Sequence, residues 1–218
     1  MFDNTRMRSS SSAGQLGVRW RECAIHGILL FVILVCIFPG IFLRGEVSVP
    51  GDLLFHYDPW RHHMPEGHTI TPNRTSSEIL MQFSLWNSLA RKALDEGEWP
   101  LWNSLEFIGM PLLANYQSAV LYPIHVLHAF LDVFTAMTIY AVLKLWICGM
   151  TAYLCARTMS LSVGASRFAS FAWMLSGFNL AWCYWAQADV SGWTPLILMG
   201  AELLLLEVAQ ARDDDVAE

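Results

Sequence analysis

Residues 23–43 read CAIHGILLFVILVCIFPGIFL, 21 residues without a formal charge, bracketed by Glu22 and Arg44. At 1.5 Å per residue such a helix rises roughly 30 Å, the thickness of a bilayer's hydrocarbon core. The stretch therefore predicts a transmembrane helix. A cleaved signal peptide is the competing reading, but the run is long for one and no small-x-small cleavage site follows it. The composition points the same way. Of 218 residues, 55% are hydrophobic and 15% charged, with mean hydropathy +0.39, where a soluble domain carries about 25% charged residues. Ten Trp, twelve Phe and six Tyr exclude a disordered chain. A net charge of −6 without a basic cluster excludes a nucleic-acid partner. No cysteine lies between Cys36 and Cys148, so the polar middle has no disulfide framework.

Working outward, the tail 1–22 holds Arg6, Arg8, Arg19 and Arg21 against Asp3 and Glu22, a net of +2, and its Ser9–Ser12 run reads as disordered. Residues 44–132 carry a net of −5. Basic residues beside a span stay on the cytoplasmic side, which predicts a cytoplasmic N-terminus and an acidic outer loop, 44–134. Apolar runs at 135–156, 167–185 and 192–209 predict three further spans, followed by a cytoplasmic tail, 211–218. The stretch 107–131 is uncharged, yet Pro111 and Pro123 interrupt it, and it reads as a broken, partly inserted segment on the outer side. Arg157 and Arg167 then fall inside and Asp189 outside, whereas a spanning 107–131 would reverse every assignment. The expected fold is an all-α, multi-pass transmembrane bundle in the cell membrane, with about four spans.

Within the outer loop, Thr75-Ser76-Ser77-Glu78 forms a capping-box pattern. Ile79, Phe83, Trp86, Leu89 and Leu94 then recur near helical spacing up to Gly97. This predicts an amphipathic helix lying on the membrane interface, the alternative being a helix packed on a loop domain.

The loop opens VPGDLLFHYDPWR, residues 49–61, with Asp52, Tyr57, Asp58 and Arg61 a few positions beyond the first span. A carboxylate beside a membrane cavity can take a proton from a hydroxyl, while Pro-Gly-Asp and Asp-Pro are also common turn makers. Asn115, Tyr116 and Gln117 offer hydrogen-bonding groups for sugar hydroxyls or phosphate, or caps for a broken helix. His56, His62, His63 and His68, near Asp58 and Glu66, offer donors for a divalent metal, or form a histidine-rich loop; no tight metal motif is present. Asn73-Arg74-Thr75 is a glycosylation triplet. Lys144 sits within an apolar run and is expected to pair with Glu202. Trp182, Trp185 and Trp193 flank the Asp189 loop as an interfacial belt.

The run Pro50-Gly51-Asp52-Leu53-Leu54, with Tyr57 and Pro59-Trp60, resembles the start of the first outer loop in the YfhO family of bacterial membrane proteins. So does the block GEWPLWN at 97–103, followed by GMPLLANYQS at 109–118 and LYP at 121–123, with LSGF at 175–178 a third element. The resemblance covers about residues 24–210. It implies a membrane glycosyltransferase of the GT-C class, with a polyprenyl-phosphate-linked sugar as donor and a cell-envelope polymer or lipid as acceptor on the outer face. By motif position the base maps onto Asp52, with Asp58 second. Asp189 matches a further acidic position in a later outer loop. Arg61 is the nearest cation for the departing phosphate, and Tyr57, Asn115, Tyr116 and Gln117 complete the substrate contacts. No cofactor is implied with certainty, a divalent metal being the one candidate. Family members are much longer, so the chain is expected to be the N-terminal part of such an enzyme. The alternatives are a non-catalytic assembly or lipid-binding subunit, or a small transporter using Lys144 and Glu202.

Overall fold

A computed structural model describes residues 20–70, 76–106 and 108–217. The basic tail up to residue 19, Thr75 of the capping-box pattern, the 73–75 triplet and Phe107 lie outside the described residues. Helix α1 (Trp20–Ile37) follows from the uninterrupted aliphatic run. It stops because Pro39 has no N–H to continue the ladder. The chain re-enters a short helix, α2 (Pro39–Arg44), which ends on Gly45 at φ 66°, a left-handed cap that glycine takes without strain. The expected span 23–43 is thus two helices.

Helix α3 (Ser84–Asp95) is preceded by a π-helical turn, Ile79–Phe83. A minimal antiparallel pair, β1 (Trp102–Asn103) with β2 (Met110–Pro111), closes the turn after it in the register Trp102 to Pro111. The stretch read as a broken segment holds, over 108–131, β2 and two 3-10 turns, Tyr116–Ser118 and Pro123–Ala129. Helix α4 (Val133–Thr158) is continuous.

Where the hydropathy predicts one span over 167–185, there are two short helices, α5 (Val163–Met174) and α6 (Gly177–Ala181). Ser176 causes the break: its hydroxyl accepts from the Asn179 N–H and starts a new helix. Neither piece has the roughly 20 residues a crossing needs. The final helix, α7 (Ala186–Ala217), begins before the expected 192 and continues through the expected tail. Among the described residues, three helices are long and apolar enough to cross a membrane: Trp20–Ile37, Val133–Thr158 and Ala186–Asp215. The chain is mostly helical, as a helical membrane protein is.

The chain divides into two compact units. One comprises α1, residues Leu143–Cys183 and the chain from Gln187 onward. There α1 buries the stripe His26, Gly27, Leu30 and Leu34, while Ile25, Ile28, Phe31 and Val32 stay exposed. An apolar outer surface is what a lipid environment favours, and the helices are held by close packing and polar links. Trp146 Nε1 donates to the Gly27 carbonyl at 2.9 Å. His26 Nε2 lies 2.8 Å from Ser170 Oγ, and that hydroxyl donates to the Gly149 carbonyl at 2.6 Å. A hydroxyl has one proton, so His26 donates through Nε2.

The second unit comprises Phe38–Val142 and Tyr184–Ala186. Its core gathers Ile79, Phe83, Trp86, Ala90, Leu112, Met137 and Trp185. The apolar face of α3, expected on the membrane interface, is therefore covered by protein. Trp185, expected in an interfacial belt, is buried here and donates through Nε1 to Glu78 at 3.1 Å.

Candidate functional site

The first candidate segment is two successive 3-10 turns, Gly51–His56 and Trp60–His63, packed against each other. Leu53, fully buried, anchors the first, and its neighbour Asp52 is half-buried. Tyr57 and Asp58 are exposed, and Asp58 Oδ1 lies 3.5 Å from His62 Nε2. Arg61 bends back to donate from Nη2 to the His56 carbonyl at 3.2 Å. The structure thus brings Asp52, Tyr57, Asp58 and Arg61 onto one short double turn.

The histidines of this turn do not converge. His62 faces Asp58, and His68 meets the edge of Phe55 at 5.5 Å between ring centroids. Among the described residues no group of three His, Cys, Asp or Glu is placed to hold a metal ion. Just upstream, Arg44 and Glu46 form an exposed double contact at 2.6 and 3.2 Å. Arg44 holds the Glu46 carboxyl below its usual range, and Glu46 in turn holds the Arg44 guanidinium above its own.

The second segment, 112–118, is organised by its own side chains. Asn115 Oδ1 accepts from the Gln117 N–H at 3.1 Å, the capping role. Ser118 Oγ reaches the Leu112 and Asn115 carbonyls at 2.9 and 2.8 Å. Tyr116 is 76% exposed, with Gln117 Nε2 3.4 Å from its hydroxyl. Gln117 also lines a cavity with Trp86, Asn87, Ser118, His125 and Tyr140. At about 10 Å³ it has room for roughly one water molecule and no sugar.

Asp189 is not in a loop. It lies in the first turn of α7, buried, with Oδ1 2.8 Å from Lys144 Nζ. The expected Lys144–Glu202 pair is replaced by this one, because α7 starts six residues early and brings Asp189 into the packed part of its own unit.

A second polar centre has little local signature in the sequence. Asn103, fully buried, donates from Nδ2 to Glu106 Oε2 at 2.7 Å, and Trp86 Nε1 donates to the same oxygen at 2.9 Å. Asn103 Oδ1 accepts the Leu105 N–H. One carboxylate thus ties the 102–111 hairpin to α3. The Asn-x-x-Glu spacing after Trp102 was its one signal. His128 is buried beside His125 and within electrostatic reach of Arg91, a placement with no sequence motif behind it. Compared with family models, curated proteins and solved structures, the chain matches none of them.

Proposed function

We propose that this chain is a GT-C-like membrane glycosyltransferase unit of the YfhO type, moving a sugar from a polyprenyl-phosphate donor to a cell-envelope acceptor on the outer face, with its N-terminus in the cytoplasm. The observation that carries the reading is the double turn 51–63, where a half-buried carboxylate, Asp52, sits beside the buried Leu53 seven residues beyond the Gly45 cap, with a cation on the packed partner turn. The resemblance of the PGDLL and PLWN–ANYQS blocks supports it, as do three membrane-length helices.

In this reading Asp52 takes the proton of an acceptor hydroxyl, and the oxygen attacks the anomeric carbon. The bond from that carbon to the lipid phosphate breaks with inversion, and the phosphate leaves with the bonding electrons. Arg61 keeps N–H donors beyond the one given to His56 and stabilises the charge on the departing phosphate. Asp58 is the second candidate base, and Tyr57, Tyr116 and Gln117 are the donors for sugar hydroxyls. Asp52→Asn in purified protein should abolish transfer from a polyprenyl-phosphate sugar while leaving the melting temperature unchanged. Undiminished transfer overturns the assignment.

The buried Lys144–Asp189 pair favours a second reading. Intramembrane charges commonly mark a transport path. Substrate flux that depends on Lys144 and not on Asp52 would select a transporter over the transferase.

A further inference from the structure

Where α1 begins, four polar side chains gather around one phenol. Tyr153 of α4 is fully buried and stacks on His26 at 4.1 Å between ring centroids. It lies within electrostatic reach of Glu22, Arg157 and Arg167. Arg157 is answered: its Nη2 is 3.6 Å from Glu22 Oε2 and its Nη1 donates to the Leu161 carbonyl. Arg167 of α5 is half-buried, and no carboxylate among the described residues pairs with it. The Tyr153 hydroxyl, Nε of both arginines, His26 Nδ1 and Glu22 Oε2 are sealed from solvent without a hydrogen-bond partner among the described residues. Each such group is costly to bury unpaired, and several in one place call for something that satisfies them.

An apolar groove lies beside this cluster and reaches Cys23, the residue after Glu22. Helices α1 and α4 run antiparallel, with Glu22 beside Arg157, His26 beside Tyr153 and Gly27 beside Trp146. Along the outer edge of that seam lies a groove of about 530 Å³, lined by Cys23, Gly27 and Phe31 on one side and Trp146 and Met150 on the other. That volume is within the roughly 300–1,000 Å³ of ligand-sized sites. Cys23, at one end, is within electrostatic reach of Glu22 and Arg157.

We propose that the groove and the two arginines form a binding site for an anionic glycerophospholipid, with one acyl chain along the groove and its phosphodiester at Arg157 and Arg167. Charge selects the headgroup. Two guanidiniums against one carboxylate leave one positive charge, which matches the single negative charge of a phosphodiester carrying an uncharged headgroup. The ammonium of a zwitterionic lipid would face the arginines instead. A guanidinium suits phosphate because its planar fork meets two oxygens at once, and basic pockets between transmembrane helices bind anionic headgroups. The site stands independently of the transferase reading.

Native mass spectrometry of the full chain, stripped of lipid and offered defined lipids, tests it. One phosphatidylglycerol per chain should be retained, at least tenfold over phosphatidylcholine and over polyprenyl phosphate. Inorganic phosphate should not displace it. Arg167→Gln, which breaks no ion pair to a described residue, should cut retention about tenfold, and Arg167→Lys should restore part of it. Ala24→Phe, which fills the groove, should lower retention while leaving the melting temperature of the stripped protein unchanged. Equal retention of phosphatidylglycerol and phosphatidylcholine, preference for polyprenyl phosphate, or full retention by Arg167→Gln would each overturn the site.

Discussion

Lys144 Nζ lies 2.8 Å from Asp189 Oδ1, with the two side chains only 2% and 8% exposed, so that α4 and α7 share a buried ion pair. Breaking such a pair strands one charge and costs about 3–5 kcal/mol, whereas replacing both partners by apolar groups is close to neutral. Lys144→Met and Asp189→Leu should each lower the melting temperature in detergent sharply, and the double variant should recover most of the loss. A double variant as unstable as the singles would show that the residues act separately.

The Glu106 carboxylate carries two donors, Trp86 Nε1 and Asn103 Nδ2. Glu106→Ala leaves both without an acceptor, at about 1–3 kcal/mol for each. Faster hydrogen exchange across 101–112 and α3 is expected, while Glu106→Gln, which keeps an acceptor, should protect most of it. Unchanged exchange in the alanine variant would remove the latch.

His128 is buried, and burial first, then the Arg91 charge, pushes its pKa down from 6.5 to about 4. A folded state that holds the ring neutral binds fewer protons than the unfolded chain between those values, so stability is full above about pH 6.5 and falls as pH drops towards 4. The loss is at most roughly 3 kcal/mol. Melting temperatures from pH 7 to pH 4 should decline in the parent and decline less in His128→Phe. Parallel slopes would exclude His128 as the source.

A Cβ at Gly149 would stand 2.9 Å from Leu30 Cδ1 and 3.3 Å from Met174 Sδ, both side chains fully buried. Neither has room to swing away, so Gly149→Ala should cost about 1–3 kcal/mol by overpacking, and Gly149→Leu should do more damage still. Leu30→Ala added to Gly149→Ala makes room and should restore part of the stability, as thermal melting would show.

How much of this was legible depended on what each signal encodes. Helices α1 and α4 were visible because their apolar runs approach bilayer length without a breaker until Pro39 and Thr158. Helix α3 was visible from the spacing of Phe83, Trp86 and Leu89, but periodicity says only that one face is apolar. Whether lipid or Leu112, Met137 and Trp185 covers that face is a tertiary fact. The break at Ser176 was hidden because a serine counts little in a hydropathy sum and caps a helix only when its hydroxyl meets the right N–H. The partner of Lys144 lay between two carboxylates 13 residues apart, Asp189 and Glu202. The starting point of α7 decided it, the least readable kind of boundary. In the candidate site, Asn115 proved to be the cap that its residue type allowed. The convergence of Glu106 with Trp86 spans 20 residues and has no local signature.

The contact between His26 and Ser170 joins residues 144 apart in sequence. Ribosomes add roughly 5–20 residues per second, so α1 is complete about 7–30 s before the serine that receives its histidine exists. Throughout that interval the first helix carries an imidazole that its later neighbours have not yet enclosed. The order of synthesis therefore makes α1 the element that waits, and the assembly of its unit a closing step rather than an opening one.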